Sequence, residues 1–464
     1  MKISVIGCGY LGAVHAATLA SMGHEVVGVD TDAEKVGHLA RGFAPLFEPC
    51  LEELLDAGRR TGRLTFTTEM DLVADCDVHF LCVGTPQSKT SELADLTYLE
   101  SATRSLAARA RAGSVVVGKS TVPVGTVERV RAWLAGSSVD LAWNPEFLRQ
   151  GTAVKDSLVP DRLVYGIGSR DQAKDSAGYA ESAENAENAE NTVRVLDEVY
   201  APLLHAGVPR IVCNFATAEL IKSAANAYLA TKLSYIIAMA ELCDAAGADV
   251  TELAAAMGLD PRIGQRYLAA GLGFGGGCLP KDIRSFRAQA RELGVGSVDA
   301  WMGLVDQINV DQRGRVAAIA AELCGGSVSG RRIAVLGAAF KPDTDDIRDS
   351  PALDVALRLA EAGAHVIVTD PKAINNAWMR YPQLQFEPST SAACQGAELV
   401  LLLTEWDEFR ALNPFELAET VAQPVMVDAR NVLDREAWAA AGWTVRGLGT
   451  GEGAAMTREV SPTR

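Results

Sequence analysis

The feature that most constrains the fold is a glycine-rich turn close to the start of the chain. A short β-branched run, Met1–Ile6, is followed by Gly-Cys-Gly-Tyr-Leu-Gly at residues 7–12 and then by an apolar stretch with helical spacing. This order of strand, glycine turn and helix is typical of a unit that holds the pyrophosphate of a dinucleotide at the helix N-terminus. Gly7 would permit the tight turn, Gly9 would let phosphate approach the backbone, and Gly12 would let the helix pack on the strand.

Asp30 indicates which dinucleotide this unit prefers. It ends a second apolar run, Glu25–Val29, about 20 residues after the turn, where a carboxylate accepts hydrogen bonds from the ribose hydroxyls. A 2′-phosphate would instead be repelled by Asp30 and Asp32 together. The pattern therefore predicts NAD, and not NADP, as the cofactor.

Composition and charge narrow the class of protein further. The chain has 464 residues, 48% hydrophobic and 22% charged, which is typical of a soluble globular protein of two or three domains. Its 43 Lys and Arg against 59 Asp and Glu give a formal net charge of -16, which disfavours a nucleic-acid partner. No apolar run reaches the ~18 residues of a membrane span. Nine scattered cysteines without a CxxC pair predict reduced thiols, a cytoplasmic protein and no metal site.

The alternation of strands and helices predicts an α/β protein. Buried strands at Val78–Val83 and Ser114–Gly118 extend the first unit, a long helix is predicted over Ala216–Ala246, and a second strand-helix-strand pattern begins at Arg332–Leu336. We therefore expect two Rossmann-like, doubly wound domains joined by a long central helix and a helical middle domain. The predicted parts are residues 1–212, 213–325 and 326–450, followed by a flexible tail at 451–464.

A low-complexity repeat interrupts the first predicted domain. Residues 183–192 repeat Ala-Glu-Asn, whose charge and polarity fit either a solvated helix or a mobile loop. We predict a surface insertion without chemistry.

A second distinctive segment surrounds Cys278. Five glycines occupy residues 271–277 before it, and Pro280 after it suits the first turn of a helix. Cys278 should therefore lie just before a helix N-terminus, where the helix dipole and Lys281 would stabilise a thiolate, which makes Cys278 a candidate nucleophile. The glycines would leave room for a substrate against the backbone. The other eight cysteines are predicted to be small, buried hydrophobic residues.

Three further side chains could act on a substrate. Lys222 and Asn226 are four residues apart on one face of the long helix, among Ala, Leu and Ile, and could stabilise an oxyanion. Alternatively, Lys222 could carry a proton. Glu146 follows a predicted strand, at the end where open α/β sheets bind ligands, and could orient or deprotonate water. Taken alone, Glu146 would be read as an acid in a surface turn.

Taken together, these segments resemble the UDP-glucose 6-dehydrogenase family, within the wider UDP-glucose/GDP-mannose dehydrogenase superfamily. The resemblance covers nearly the whole chain, and several ordered motifs are more specific than any one alone. The motifs, each given with its first residue, are GCGYLG (7), CVGTP (82), KSTVPVGT (119), NPEFL (144), PDR (160), AELIKSAANAYLATK (218), DPRIGQRYL (260), GFGGGCLPKD (273), FKPDTDDIRDSPAL (340) and DARN (428).

The resemblance implies a four-electron oxidation of UDP-glucose at C6 to UDP-glucuronate, with two NAD⁺ consumed. Cys278 would capture the intermediate aldehyde as a thiohemiacetal, which is oxidised to a thioester and hydrolysed. Lys222 and Asn226 would stabilise oxyanions, and Glu146 would act as acid or base. The implied role in metabolism is to supply UDP-glucuronate for polysaccharide biosynthesis. The catalytic set is Cys278, Lys222, Asn226, Asp282, Glu146 and Thr121, with Thr121 and Asp282 positioning water.

The resemblance also implies a division of labour among the three predicted parts. The first would bind NAD, the second would form a homodimer, and the third would bind UDP, with Arg262 reaching the substrate of the neighbouring subunit. The implied NAD contacts are Gly7, Gly9, Tyr10, Leu11, Gly12, Asp30, Lys35, Thr85, Thr121, Gln150, Lys281 and Arg348. The implied substrate contacts are Glu146, Phe147, Leu148, Gln150, Lys222, Asn226, Arg262, Tyr267, Leu268, Gly271, Gly275 and Lys341.

One departure and three alternatives remain at this stage. Many relatives carry Glu where this chain has Gln150, and we expect activity to be retained because Gln can both donate and accept hydrogen bonds. The same reaction on GDP-mannose or a UDP-N-acetylhexosamine is the nearest alternative. A two-electron β-hydroxyacid dehydrogenase would need neither the glycine-embedded Cys278 nor a second α/β domain. A nucleotide sensor without activity should lack part of the catalytic set, which is complete here.

Overall fold

The structure, a computed structural model, describes residues 1–88, 92–168 and 183–451. The chain divides into two compact units, Met1–Ala225 and Asn226–Arg464. The predicted flexible tail falls outside the described residues apart from Gly451, and the division into three domains stays a prediction. No helix among the described residues is long and apolar enough to cross a membrane.

A single sheet forms the centre of the first unit. Its described strands lie in the order β3-β2-β1-β4-β5-β6-β7-β8, and among these only β6 and β7 pair antiparallel. The first six strands have the order of Rossmann-type domains, as the glycine turn predicts, whereas the sequence pattern does not predict β7 or β8. The strands are β1 (Lys2–Ile6), β2 (Glu25–Val29), β3 (Leu64–Thr67), β4 (Val78–Leu81), β5 (Val115–Gly118), β6 (Asp140–Trp143), β7 (Leu163–Ile167) and β8 (Arg210–Asn214).

Helices cover this sheet and explain its composition. All four residues of β4 and of β5 are buried, because strands covered on both faces favour continuous apolar runs over alternation. The helices of this unit are α1 (Tyr10–Ser21), α2 (Ala33–Ala40), α3 (Leu51–Arg60), α4 (Thr97–Ala107), α5 (Thr126–Trp133), α6 (Ala153–Leu158), α7 (Ala183–Val199) and α8 (Ala201–His205).

The Ala-Glu-Asn repeat forms the first turns of α7. Glu187, Asn188 and Glu190 are exposed, whereas Leu196 and Val199 at the other end of the helix are buried in the core of the first unit. Of the two forms that the composition allowed, the structure shows the solvated helix. The repeat therefore extends a helix that its apolar end anchors.

Helix α9 (Phe215–Ala246) is one continuous element of 32 residues, as its sequence predicts. Its first turns are fixed by Glu219, whose carboxylate accepts hydrogen bonds from Gly125 N and Val127 N, both at 2.8 Å. These N–H groups belong to the start of α5, where a helix has no backbone acceptors of its own. Glu219 is buried, and it ties the start of α5 to α9.

The sheet of the second unit repeats the same strand order. In the part of this unit that the structure describes, all strands are parallel and lie in the order β11-β10-β9-β12-β13-β14. The predicted second α/β sheet is therefore present. The strands are β9 (Arg332–Leu336), β10 (His365–Thr369), β11 (Gln385–Phe386), β12 (Leu399–Leu402), β13 (Val425–Asp428) and β14 (Thr444–Gly447).

The remaining helices belong to this second unit. Ser350, the N-cap of α13, accepts a hydrogen bond from Leu353 N and is followed by Pro351 at the first helical position, which explains the sharp start of that helix. The helices are α10 (Val250–Gly258), α11 (Leu279–Glu292), α12 (Gly296–Leu323), α13 (Pro351–Glu361), α14 (Ile374–Arg380), α15 (Thr390–Cys394), α16 (Asp407–Arg410), α17 (Pro414–Ala418) and α18 (Arg435–Ala440).

The cysteines differ in one case from the prediction. All nine lie in the described parts of the chain, and none forms a disulfide. Apart from Cys278, seven are buried or partly buried, and burial raises the pKa of Cys82 to about 12. The prediction is wrong for Cys50, which is exposed because it occupies the N-cap of α3 in a left-handed conformation (φ 65°).

We expect Glu219→Gln to change how stability depends on pH. Burial raises the pKa of Glu219 to about 7 from an ordinary value of 4.5. Because the folded-state pKa lies above the unfolded one, this contribution to stability is complete below the unfolded pKa and is lost as pH rises through the folded pKa. Glutamine does not ionise, so between about pH 5 and pH 8 the variant should gain up to about 3 kcal/mol relative to the wild type.

Thermal unfolding of both proteins across this pH range measures the effect. Glu53→Gln, at an exposed position on α3, is the matched control and should leave most of the pH dependence in place. A constant difference between Glu219→Gln and the wild type at every pH would contradict the raised pKa.

Candidate active site

The glycine turn of the first unit is shaped for an anion. Helix α1 begins directly after Gly9 and has no acidic residue in its first turn. A Cβ added to Gly9 would meet no atom within 4 Å, whereas one added to Gly12 would lie 1.9 Å from the carbonyl oxygen of Gly7. Gly12 thus serves packing, and the open side at Gly9 together with the positive end of α1 fits the pyrophosphate of NAD.

Asp30 stands at the end of β2, beside this turn. One of its carboxylate oxygens accepts a hydrogen bond from Cys8 N at 2.8 Å, and Lys35 Nζ lies 3.0 Å from both oxygens. Lys35, which the resemblance assigns to NAD, therefore contacts Asp30 directly. The ion pair forms the edge of the turn where the ribose of NAD is expected.

Two loops that follow β4 and β5 are joined by two short hydrogen bonds. The Thr85 hydroxyl donates to the carbonyl oxygen of Thr121 at 2.7 Å, and the Ser120 hydroxyl donates to that of Val83, also at 2.7 Å. Strand order reverses between β1 and β4, which is where open α/β sheets bind their ligands. Both predicted threonines therefore lie at the expected edge of the sheet.

Glu48, which sequence reasoning missed, connects two predicted binding segments. Its carboxylate accepts hydrogen bonds from the Tyr10 hydroxyl at 2.5 Å, from Gly151 N at 2.6 Å and from Ala153 N at 2.7 Å. Tyr10 belongs to the glycine turn, and Gly151 follows the buried Gln150. These partners lie up to 105 residues away, so no local spacing in the sequence could reveal them.

Glu146 and Lys222 form a buried ion pair in the first unit. Lys222 Nζ lies 3.0 Å from one carboxylate oxygen of Glu146, and the other oxygen accepts a hydrogen bond from Leu148 N at 2.6 Å. Their side chains are 7% and 12% exposed, which excludes the alternative of a solvated surface acid for Glu146. Lys222 Nζ also lies 5.8 Å from the ring centre of Phe147, whose face contacts the guanidinium of Arg162 at 3.8 Å.

A second buried lysine, Lys119, lies beneath this segment and was also missed. Its Nζ donates to Asn144 Oδ1 at 2.9 Å, and the Tyr200 hydroxyl donates to the same oxygen at 2.7 Å. Asn144 Nδ2 donates in turn to Val164 O, so the start of the Asn-Pro-Glu-Phe-Leu segment is fixed. Burial lowers the pKa of Lys119 to about 8. The sequence signal that could have identified Lys119 is its place as the first residue of the KSTVPVGT motif.

Cys278 occupies the predicted position at a helix N-terminus. It is the N-cap residue of α11, and its side chain is exposed. On the same helix, Asp282 is buried, accepts a hydrogen bond from Asn226 Nδ2 at 2.7 Å and pairs with Lys281 Nζ at 2.9 Å. Lys281, the cation that the sequence predicted to face the thiolate, thus pairs with Asp282.

The glycines before Cys278 were expected to leave room for a substrate, but the structure shows that they allow close packing against other protein atoms. A Cβ at Gly275 would lie 2.1 Å from Asp349 O, and one at Gly276 would lie 2.8 Å from the ring of Phe340. The Asn309 side chain occupies the corresponding space at Gly273 and hydrogen-bonds to both backbone groups of Phe274. Packing against protein atoms therefore requires glycine at these positions, and the substrate contact at Gly275 stays a prediction.

The sheet of the second unit differs from the first at its nucleotide edge. Asp370, at the end of β10, accepts hydrogen bonds from Ala338 N and Ala339 N, in the turn that follows β9. It also accepts from Lys372 N, Ala373 N and Trp406 Nε1. Asp370 therefore binds two N–H groups of the turn that follows β9, whereas Asp30 binds one N–H group of the turn that follows β1.

The remaining predicted substrate residues are spread over the second unit. Arg262 pairs with Asp260, and its side chain is 87% exposed. Tyr267 is partly buried with a left-handed backbone (φ 63°), Leu268 and Gly271 are buried, and Lys341 Nζ lies 5.8 Å from the ring centre of Phe340.

Arg430, in the DARN motif, contacts the glycine segment and was not predicted as a site residue. Its guanidinium donates to Leu403 O at 2.7 Å and to Gly273 O at 3.3 Å. Throughout residues 1–88, 92–168 and 183–451, no group of three or more His, Cys, Asp or Glu is placed to hold a metal ion.

Comparison with known proteins agrees with this arrangement. Three models of the UDP-glucose/GDP-mannose dehydrogenase family match the chain in order: its NAD binding domain over residues 1–182, its central domain over 216–311 and its UDP binding domain over 334–435. The UDP-glucose 6-dehydrogenase of Rhizobium meliloti (strain 1021) is 40% identical over 457 residues, which cover 97% of this chain and 99% of that protein.

Two solved structures share the fold over nearly their full length. A UDP-glucose dehydrogenase from Pyrobaculum islandicum has a TM-score of 0.84 and 35% identity, with 97% of each chain covered. A UDP-D-ManNAc dehydrogenase from Pyrococcus horikoshii has a TM-score of 0.80 and 26% identity, with 97% of this chain and 100% of that chain covered. The chain therefore belongs to the UDP-glucose/GDP-mannose dehydrogenase family, and it is an NAD-dependent enzyme.

Proposed function

We propose that the protein oxidises UDP-glucose at C6 to UDP-glucuronate, in two oxidations that each use one NAD⁺. The observation that carries the proposal is the exposed thiol of Cys278 at the start of α11, one turn before the buried Asp282–Asn226 pair. An alcohol-to-aldehyde oxidation needs no such nucleophile, whereas conversion of the aldehyde to an acid through a thioester does. NAD⁺, whose pyrophosphate fits the open turn at Gly9, would accept the hydride.

In the first oxidation, the 6-hydroxyl of the sugar loses a proton and a hydride to give an aldehyde. Glu146 would accept the proton, and Lys222, 3.0 Å from its carboxylate, would stabilise the negative charge that develops on the oxygen. Burial strengthens this electrostatic effect because little water screens it. Asn144, fixed by Lys119 and Tyr200, would hold the segment that carries Glu146 in place.

In the second stage, the Cys278 thiolate adds to C6, and the carbonyl oxygen takes up a proton to give a thiohemiacetal. Loss of a second hydride and a proton leaves a thioester. Water then attacks C6, the C–S bond breaks, the thiolate leaves and a carboxylate is formed. Asp282 would take the proton of this water, since Asn226 and Lys281 hold its carboxylate in one orientation. Thr121 would help to position the water.

We further propose a homodimer in which Arg262 reaches the neighbouring subunit. Its side chain projects into solvent with Asp260 as partner, so it is available to a second copy of the chain. Tyr228, Tyr235 and Leu242 recur every seven residues on α9 and are each at least 44% exposed, which suits a helix face that packs on another subunit. We also propose that the enzyme is cytoplasmic and supplies UDP-glucuronate for polysaccharide biosynthesis.

The same chemistry on another nucleotide sugar is the second candidate. One relative of similar fold is described as a UDP-D-ManNAc dehydrogenase, although it is only 26% identical to this chain. One or two pocket contacts are enough to separate hexoses from N-acetylhexosamines. Substrate preference must therefore be measured.

We expect the enzyme to release two NADH for each UDP-glucose consumed. The experiment follows NADH absorbance with limiting UDP-glucose, GDP-mannose, UDP-N-acetylglucosamine or UDP-N-acetylmannosamine, and the remaining sugar is quantified by chromatography. UDP-glucose should give the highest kcat/KM. A ratio of one NADH per sugar would contradict the four-electron reaction, and preference for a different sugar would contradict the proposed substrate.

Cys278→Ser should abolish acid formation while leaving NAD binding intact. Serine is a far weaker nucleophile, so we expect at least a ~1,000-fold loss in UDP-glucuronate production. Cys50→Ser, the other exposed cysteine, is the matched control and should keep wild-type activity. Acid production near the wild-type rate by Cys278→Ser would rule out the thioester route.

Mixing two inactive variants tests the role of Arg262. If Arg262 serves the neighbouring subunit, co-expressed Arg262→Ala and Cys278→Ser chains form mixed dimers with one complete site, and about a quarter of wild-type activity should return. Each variant alone should be inactive, and size-exclusion chromatography reports the dimer. Mixed dimers without recovered activity would show that Arg262 does not act across the interface.

A further inference from the structure

The side chain of Arg348 lies against the backbone immediately before Cys278. A Cβ added to Gly277 would lie 2.4 Å from Arg348 Cζ and within 2.7 Å of both terminal nitrogens. In addition, the carbonyl oxygen of Arg348 accepts a hydrogen bond from Gly276 N at 2.8 Å. Both the main chain and the guanidinium of Arg348 therefore contact the two residues that lead into the thiol.

Asp346 holds this guanidinium in one orientation. Its carboxylate accepts hydrogen bonds from Arg348 Nε at 2.9 Å and from Arg348 Nη2 at 2.6 Å, and it also accepts from Arg348 N. The side chain of Asp346 is 3% exposed, so it provides a rigid support. Asp346 raises the pKa of Arg348, and the negative charge of the Cys278 thiolate adds to this increase, so Arg348 stays protonated at every working pH.

The other charged groups near Cys278 have partners of opposite charge or aromatic partners. On α11, Lys281 pairs with Asp282 at 2.9 Å, and Arg284 pairs with Asp306 of α12 and with Asp349. Arg313 of α12 pairs with Asp349 and Asp354. Lys341, in the segment before α13, lies over the ring of Phe340. Arg348 is paired as well, with Asp346, so its position distinguishes it from these cations: its guanidinium lies against the backbone of Gly277, the residue next to Cys278.

We propose that Arg348, together with the N-terminal dipole of α11, stabilises the Cys278 thiolate. The inference rests on Cys278 as the nucleophile of the proposed function, and it gives Arg348 a role beyond the NAD contact that the family resemblance implies. A fixed guanidinium next to a helix N-cap favours the anionic form of the thiol. The sequence suggested Lys281 for this role, but the structure binds Lys281 to Asp282.

The test measures the reactivity of Cys278 without turnover. Full-length protein with the Cys50→Ser substitution is alkylated by iodoacetamide from pH 5 to pH 10 without NAD or substrate, and the Cys278 peptide is quantified by mass spectrometry. Arg348→Met, and Arg348→Gln as a second neutral variant, should raise the pH of half-maximal alkylation rate by about one unit. Arg348→Lys keeps the positive charge, so its pH of half-maximal alkylation rate should lie close to the wild-type value.

Asp346→Asn is the matched control of opposite sign. It keeps an acceptor for Arg348 but removes the negative charge, so the pH of half-maximal rate should stay constant or fall. A general disturbance of the segment would instead move this pH in the same direction for both residues. No shift in either neutral Arg348 variant, or a rise in Asp346→Asn equal to that in Arg348→Met, would overturn the inference.

The outcome is separable from that of the proposed function. If Cys278→Ser still makes acid while the alkylation shift appears, the thioester route fails but the effect of Arg348 on the thiolate stands. If Cys278→Ser is inactive and the shift is absent, the nucleophile stands and Arg348 does not stabilise it.

Discussion

Buried carboxylates that accept hydrogen bonds from backbone N–H groups hold the loops of both units. Parallel sheets place the loops that follow their strands at one edge, where N–H groups without strand partners must find acceptors once they are buried. Glu48 and Glu219 provide them in the first unit, together with the partly buried Asp30, and Asp370 and Asp428 provide them in the second. Each of these carboxyl groups accepts hydrogen bonds from N–H groups of its loop and so fixes the position of that loop.

The same interaction explains why two sheets of one strand order are suited to different ligands. At Asp30, one N–H group of the glycine turn, Cys8 N, is bound together with Asp32 N, and the open turn at Gly9 leaves space for a phosphate. At Asp370, two N–H groups of the equivalent turn and an indole N–H are bound to the carboxylate. The turn of the first unit therefore keeps an open side for a pyrophosphate, whereas two N–H groups of the second unit's turn are bound to Asp370. Fold alone would not distinguish the two.

Local sequence patterns revealed the features that depend on neighbours along the chain. The glycine turn, the central strands of both sheets, α9 and the helix-start position of Cys278 all follow from spacing over a few residues. The interactions that complete the candidate site join distant segments, such as Lys222 with Glu146 and Glu48 with Gly151, and no periodicity encodes them. The family motifs located most of the same residues but could not show that Lys281 contacts Asp282.

The glycine segment before Cys278 has a consequence for how such a chain can evolve. Asn309, Asp349, Phe340 and Arg348 each fill the place where a side chain of residues 273–277 would otherwise stand. A change at one of these glycines is tolerated only if its neighbour shrinks or moves at the same time, so the two positions should substitute as a pair. A glycine-rich segment usually suggests a hinge. Here each absent side chain instead makes room for a residue from another part of the chain.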